Sequence, residues 1–399
     1  MKDYYYDIIV VGGGPAGLSA AYSASKLGAD VILFEKEKSI AHNIRTSGVS
    51  WLKEISRFDI PSNLYNPVNK FHFISPSNEV ILEGRENNAC VLNVRGTYQY
   101  LAKIAAENGT TIMLNNNVIN ASFTKEIKKI KVQTMEGEKI YSTKLVIDAS
   151  GFNSIIARSL GLVNTWQRFG VGAEYECYCE NIDISSLSLM VGREYSEAGY
   201  GWVFPTGKNR ARIGIGVGRP ESNQDPIKSL EHIFQKKLKP LNRFGKIQPI
   251  EFHLGFIPNQ GTRISSIFDG LILVGDSAGQ SNPIVLEGIR HAIEFGRLAG
   301  KIGTHSLPFN CSKESLIEYE RSWKSKIESN INSALKVQKR WLKLSDKEWD
   351  EEINIMKKMS MDEFLDFIRA DFTPSKLIKL AFNHPLLAAK QLFNTILKK

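Results

Sequence analysis

Cysteine is scarce in this 399-residue chain: the four present, Cys90, Cys177, Cys179 and Cys311, include no CxxC pair. Cys177 and Cys179 would share one face of a strand, so core thiols are expected, with no disulfide, iron–sulfur cluster or other metal. Long apolar runs are missing too. No stretch of eighteen apolar residues exists to span a bilayer, and the first strand starts within a few residues of Met1, leaving no room for a signal peptide. The expected location is therefore cytoplasmic. Acid is the third scarcity: 51 Lys and Arg against 42 Asp and Glu leave a net charge of +9, and no acid falls between Thr373 and Lys399. Such a surface suits anionic lipid, nucleic acid or an acidic redox partner. No aromatic-basic module accompanies it, so nucleic acid is not expected.

What is present begins with Asp7-Ile8-Ile9-Val10-Val11-Gly12-Gly13-Gly14-Pro15-Ala16-Gly17-Leu18. A β-branched run without alternation is the pattern of a parallel strand buried on both faces. Gly12 permits a tight turn, Gly14 lets backbone approach a pyrophosphate, and Gly17 lets the helix from Ala16 to Lys26 pack close to the strand. Phosphate then sits at the positive helix start. The next strand, Val31 to Phe34, ends on Glu35, placed to accept from ribose hydroxyls. Downstream, Arg45 stands in a polar loop, His42 to Gly48, as a candidate phosphate contact.

Trp51 to Phe58 reads as a helix, and Asn69–Ile74, Glu79–Glu83 and Ala89–Val94 as strands of one inserted sheet. Arg95 precedes a helix from Thr97 to Asn108, ended by Gly109. Strands at 111–114 and 118–123 and a Lys-rich hairpin at 125–138 follow. Lys144 to Gly151 repeats the opening logic, an apolar strand halting at Asp148 and a small-residue turn before a helix at 154–160. From Arg168 the texture turns to β, with strands at 169–178, 187–191, 201–204 and 210–218 forming an antiparallel substrate sheet. Gly270 to Gln280 is a third strand ending in glycine and acid, with a helix expected from near Leu286. A nicotinamide enzyme would not need it; a flavin enzyme would, because Asp276 can hold ribitol hydroxyls and the helix start can stabilise negative charge on the reduced ring. Residues 312–341 and 345–368 read as two helices.

Three such turns in this order, with Pro15-Ala16 in the first, resemble FAD-dependent oxidoreductases of the p-hydroxybenzoate hydroxylase type. Gly199-Tyr200-Gly201-Trp202-Val203-Phe204-Pro205 is similar to the YxWxFP signature of the geranylgeranyl reductase family, and Gly275 to Pro283 to its GDAAGxxNP stretch. The fold class this implies is α/β (α+β overall): a Rossmann-like FAD-binding domain at 1–165 with inserted strands 69–94, an antiparallel β substrate domain at 166–265, a return segment of the FAD domain at 266–305, and a C-terminal helical region at 306–399. The cofactor set implied is Gly12, Gly14, Pro15, Ala16, Gly17, Glu35, Lys36, Arg45, Ser47, Gly48, Arg95, Val118, Asp148, Gly151, Gly275, Asp276, Pro283, Gly288 and Ile289.

The activity implied is saturation of isolated C=C bonds in isoprenoid chains by hydride from reduced flavin plus a proton. Tyr200, Trp202 and Phe204, on one side of a strand by the period of two, would form an aromatic wall for the substrate. Tyr200, Trp202, Glu287 and His291 are the catalytic candidates, with Tyr200, Glu287 and His291 as alternative proton donors. Two departures matter. The family commonly has GGGI after the NP pair, where this chain has Leu286-Glu287-Gly288-Ile289, and the cysteine that some archaeal members place in the loop after the second strand is missing from Arg45 to Gly48.

No separate nicotinamide domain is legible, so the reductant is left open between NADPH and a ferredoxin-type carrier. The lysines and apolar residues of 373–399 read either as a basic amphipathic helix on the inner face of the membrane or as a cap on the substrate domain. Competing functions are a flavin monooxygenase or halogenase of the same fold, in which Lys70 would hold the oxidised halogen, and an electron carrier feeding quinone.

Overall fold

A computed structural model describes residues 4–371 and 373–384. The opening strand, Tyr4–Val11, lies between parallel neighbours Val31–Phe34 and Gly137–Asp148, which is why Ile8, Ile9, Val10 and Val11 are buried without alternation. Leu271–Leu273 and Thr111–Met113 extend the parallel pairing outward, and the hairpin of Asn117–Phe123 and Lys128–Thr134 hangs from the long Gly137–Asp148 strand, within a sheet of eight strands. The first helix, Pro15–Lys26, packs on Ile289–Ser306 almost without side chains between them. A methyl at Gly296 would lie 2.4 Å from Ala16 O, and one at Gly300 2.2 Å from Ala20 O.

The second sheet has seven strands in the order Ile247–Pro258, Phe169–Cys179, Arg210–Arg219, Gly199–Gly207, Ser186–Met190, Lys70–Ile74 and Glu79–Glu83. This corrects the expectation of one inserted sheet over 69–94. Lys70–Ile74 runs parallel to Ser186–Met190 and carries Glu79–Glu83 into the substrate sheet, whereas Ala89–Leu92 pairs with Val49–Trp51 and Tyr65–Val68 in a small sheet of three. Phe71 and Phe73 explain the split, because they bury against Phe364 of a C-terminal helix. Trp51 ends a strand, and the helix after it is only Leu52–Ser56.

One face of the second sheet is closed by Pro226–Lys236, whose Leu230 and Ile233 bury with Cys177, Cys179, Ile213 and Ile215. The other face meets the C-terminal helices. Lys313–Trp341 is continuous, but the single helix expected over 345–368 is two, Asp346–Met356 and Met361–Ile368, each opened by a reciprocal serine–glutamate cap. Ile353, Met356, Phe364, Leu365 and Ile368 bury among Phe71, Leu187, Trp202 and Phe204. Pro374–Asn383 follows, with Ile378 and Phe382 exposed and Lys376 Nζ paired with both Asp366 and Asp371. The remainder of the expected basic helix lies outside the described residues. Among the described residues no helix is long and apolar enough to cross a membrane. All four cysteines are buried thiols, and burial pushes Cys90 up to about 12.

Candidate active site

The first glycine turn is closed to side chains at two of its glycines. Gly12 has φ +109°, and added methyls at Gly12 and Gly17 would lie 2.4 Å from Ala149 O and 2.0 Å from Gly12 O. Gly14 is the reverse case. A methyl there would meet nothing within 4 Å, and Gly14 starts the Pro15–Lys26 helix with no side-chain cap, so free amides border open space. Glu35 accepts from Gly13 N at 2.7 Å on Oε2 and from Glu37 N at 2.9 Å on Oε1, fixing the turn while keeping one lone pair per oxygen for hydroxyl donors. Lys36 is exposed, and Val118 is buried beside Val11 and Phe34.

The loop after Glu35 is pinned by arginines. Arg212 Nη1 donates to Ser47 O at 2.8 Å and to Leu92 O at 3.1 Å, and a methyl at Gly48 would meet that nitrogen at 2.7 Å. Arg45 is paired with Glu37 at 2.9 Å, and Arg95 with Glu251 at 2.7 Å, so each guanidinium has a carboxylate partner. Arg95 lies inside the first turn of its helix, Val94–Glu107, one turn earlier than expected. Asp148 is likewise spent. Its Oδ1 accepts from Ser150 N and Oγ, and its Oδ2 from Ile156 N at 3.0 Å and Ala157 N at 3.1 Å, so it ties down the Ile155–Ser159 helix rather than facing a ligand. Gly151, at φ +70° with open space beside it, is the part of that turn free to approach one.

At the third turn Gly275 has φ +68°, and a methyl on it would lie 3.1 Å from Ala16 Cβ, so this turn abuts the first. Burial pushes the Asp276 carboxyl up to about 6, with no hydrogen bond from the described residues to draw it back. The helix expected near Leu286 starts at Ile289, after Gly288, again with no side-chain cap. Leu286 itself has φ +50°, a left-handed backbone in a non-glycine residue. Two uncapped helix starts and a carboxylate without a hydrogen bond from the described residues thus converge, an arrangement that fits FAD: Gly14 to Gly17 would hold the diphosphate, Glu35 a ribose, Asp276 the ribitol hydroxyls, and Gly288 would border the ring.

The three expected proton donors are all engaged. Tyr200 Oη donates to Val285 O at 2.7 Å, and burial raises its pKa. Glu287 accepts from Ser50 Oγ at 3.2 Å and pairs with Arg290 Nε at 2.9 Å. His291 Nδ1 donates to Gln280 O at 2.9 Å, and burial lowers its pKa well below the usual value. Pro283 and Ile289 flank this loop, Pro283 in the cavity wall and Ile289 in the core.

Tyr200, Trp202 and Phe204 do line up on one face, with ring centroids 5.9 and 6.1 Å apart. The Trp202 indole lies across strands that carry glycine: methyls at Gly214, Gly172 and Gly216 would be 2.3, 3.4 and 3.4 Å from its ring. Its Nε1 donates to Glu174 Oε2 at 2.9 Å, and Glu174 Oε1 lies 2.9 Å from His253 Nδ1. Arg212 Nε donates to Glu176 at 2.8 Å. Sequence reasoning missed this buried set of Glu174, Glu176, Arg212 and His253. The one available signal was charge inside otherwise apolar strands.

Two cavities flank the aromatic face and share Gly170, Tyr200, Gly216, Val285 and Leu286. One, of about 720 Å³, is apolar and bounded by Phe73, Leu189, Val191, Trp341, Trp349 and Ile368. The other, of about 550 Å³, is bounded by Arg45 to Ser47, Glu174, Trp202 and His253. Lys70 borders neither cavity and pairs with Asp183 at 3.2 Å.

The profile of the FAD dependent oxidoreductase family matches residues 7–161, and that of the geranylgeranyl reductase catalytic domain matches residues 169–257. The digeranylgeranylglycerophospholipid reductase of Methanocaldococcus jannaschii is 32% identical over 351 residues, 86% of this chain and 89% of that protein. Digeranylgeranylglycerophospholipid reductase 1 of Methanococcoides burtonii is 30% identical over 405 residues, 98% of this chain and 97% of its own. Among solved structures, a geranylgeranyl bacteriochlorophyll reductase-like protein from Thermoplasma acidophilum shares the fold with a TM-score of 0.85 at 23% identity, covering 97% of this chain and 98% of that one. A halogenase mutant in complex with FAD shares it with a TM-score of 0.66 at 15% identity, covering 88% and 79%. The glycine-and-acid cradle, the YxWxFP strand and relatives matched along nearly their whole length agree: this chain belongs to the geranylgeranyl reductase family of FAD-dependent oxidoreductases.

Proposed function

We propose that this protein reduces isolated C=C bonds in the geranylgeranyl chains of membrane ether lipids or their precursors. The observation that carries this reading is the apolar cavity of about 720 Å³, which meets the cavity beside Ser47 and Trp202 at Tyr200 and Leu286. Each prenyl methylene buried there gains about 0.8 kcal/mol, whereas a polar group left without a partner costs about 1–3 kcal/mol, so the cavity favours hydrocarbon tails over polar substrates. FAD, once reduced, supplies the hydride. The protein's share is to hold the alkene against Tyr200 and Trp202, exclude water and deliver a proton; Phe204, expected in the same wall, borders neither cavity and packs in the core behind Trp202. Gly12 to Gly17, Glu35, Asp276 and Gly288 are the residues assigned to FAD.

Two finer assignments belong to the same reading. A basic surface suits an anionic reductant, either NADPH docking transiently or an acidic ferredoxin-type carrier, and anaerobic reduction with each in turn separates them. Peripheral contact with an anionic membrane is assigned to residues 373–399, where Ile378 and Phe382 are exposed.

The test is anaerobic incubation of reduced enzyme with a digeranylgeranyl glycerophospholipid. Gain of two hydrogens per double bond is the expected result. A requirement for oxygen would point to a monooxygenase or halogenase, and reoxidation by quinone without a saturated product to an electron carrier.

A further inference from the structure

Saturating an alkene takes a proton as well as a hydride; Tyr200 and His291 donate theirs to backbone carbonyls, and Glu287 only accepts, from Ser50 and Arg290. His253 differs. It is 3% exposed on the Ile247–Pro258 strand and borders the same cavity as Trp202 and Leu286. Strand pairing sets it opposite Glu174, whose Oε1 lies 2.9 Å from Nδ1. Its Nε2 has no hydrogen-bond partner among the described residues. The carboxylate oxygen nearest to it, Glu251 Oε2, is 3.7 Å away, and Glu251 is drawn toward Arg95 at 2.7 Å. A carboxylate on Nδ1 fixes the tautomer and ring orientation and supports the imidazolium, leaving Nε2 to move the proton. Glu174 also takes the Trp202 indole N–H, so one side chain aligns both the imidazole and the aromatic wall.

We propose that His253, oriented by Glu174, gives the proton to the alkene carbon that does not receive hydride; this rests on the reductase reading above. The π bond breaks and two C–H bonds form. One carbon takes a hydride, and with it two electrons, from reduced FAD; the other takes the Nε2 proton, leaving a neutral imidazole that regains a proton from water after the product leaves. Glu174 is a positioning residue. The charged groups packed around the ring are Glu174 and Glu176 from Phe169–Cys179, Arg212 from Arg210–Arg219, Glu251 from its own strand, and Arg95 and Arg45 from the cofactor side.

His253→Asn, His253→Gln and Glu174→Gln holoenzymes, reduced anaerobically, are mixed with a digeranylgeranyl glycerophospholipid, and saturation is followed by mass spectrometry across the histidine pH range. The His253 variants are expected to lose about 10²-fold or more in rate, with partial rescue by added imidazole and unchanged FAD affinity. Wild type should slow on the alkaline side, and the residual rate of the His253 variants should lack that limb. Glu174→Gln should slow saturation at least about tenfold and move the limb. Apart from turnover, the histidine-ring NMR signal missing from His253→Asn should shift when oxidised wild type binds the fully saturated lipid.

A folded His253 variant that saturates lipid at the wild-type rate, a wild-type rate without an alkaline limb, or a ring signal untouched by bound lipid overturns the proposal and leaves the reductase reading standing. A wild type that saturates none of the lipid overturns both.

Discussion

A methyl at Gly17 would sit 2.0 Å from Gly12 O, and the backbone there cannot yield without moving the diphosphate turn. Gly17→Ala is therefore expected to lose about 1–3 kcal/mol of stability and most FAD affinity, read by thermal melting and flavin fluorescence titration. Asp276 gives a pH signature. Its carboxyl is raised to about 6 in the cofactor-free protein, above the unfolded value of about 3.9, so it favours the folded state at low pH and that contribution is lost as pH rises through 6. Hydroxyl donors favour the ionised form, so FAD affinity should rise across the same interval, and Asp276→Asn should abolish that rise. Leu286 is the third case. It holds φ +50° where family members commonly have glycine, and its Cδ1 would lie 2.8 Å from a methyl added at Gly170, at the junction of the two cavities. Leu286→Gly should relieve a strain of about 1 kcal/mol and widen the passage, so that bulkier tails compete better in product assays. The glycines and Glu35 were legible because a turn and a backbone amide impose them locally. His253 was not, since the Glu174 that gives it meaning is 79 residues away.

Elements were legible where burial is one-sided or complete, and failed where it inverts. Along Ile247–Pro258 the apolar Ile250, Phe252, Leu254 and Phe256 are exposed while His253 and Gly255 are buried, so alternation points the wrong residues inward. Lys70–Ile74 failed for another reason: its partner Ser186–Met190 is remote in sequence, and sheet membership is a non-local property. The break between Asp346–Met356 and Met361–Ile368 did have a local signal. Ser360 accepts from Glu363 N while the Glu363 carboxylate accepts from Ser360 N at 2.9 Å, a cap spelled by the S-x-x-E spacing. Ser360→Ala should cost about 1 kcal/mol, seen first as faster hydrogen exchange in Met361–Ile368. Because that helix brings Phe364 against Phe71 and Ile368 against the apolar cavity, weaker lipid binding should accompany the change.

At the scale of the molecule, the proposed contact with an anionic membrane rests on a net charge of +9 and on where that charge falls. Five lysines and no acid fall between Thr373 and Lys399, and each lysine near an anionic bilayer contributes about 1 kcal/mol, an attraction that salt screens. Within the described part of this segment, Lys376 is occupied by Asp366 and Asp371, whereas Ile378 and Phe382 are exposed beside it. The segment also touches Glu363 through Asn383 Nδ2 at 2.7 Å, and partly exposed polar contacts of these kinds contribute at most about 1 kcal/mol each, so removing them leaves the two sheets intact. Truncation after Asp371 is accordingly expected to release the protein from anionic vesicles in a cosedimentation assay, while the melting temperature, FAD content and reduction of detergent-dispersed lipid stay near wild type. Full-length protein should come off the same vesicles as salt is raised and ignore neutral ones. If truncated and full-length protein cosediment equally, the membrane contact lies elsewhere on the basic surface and the tail is a cap.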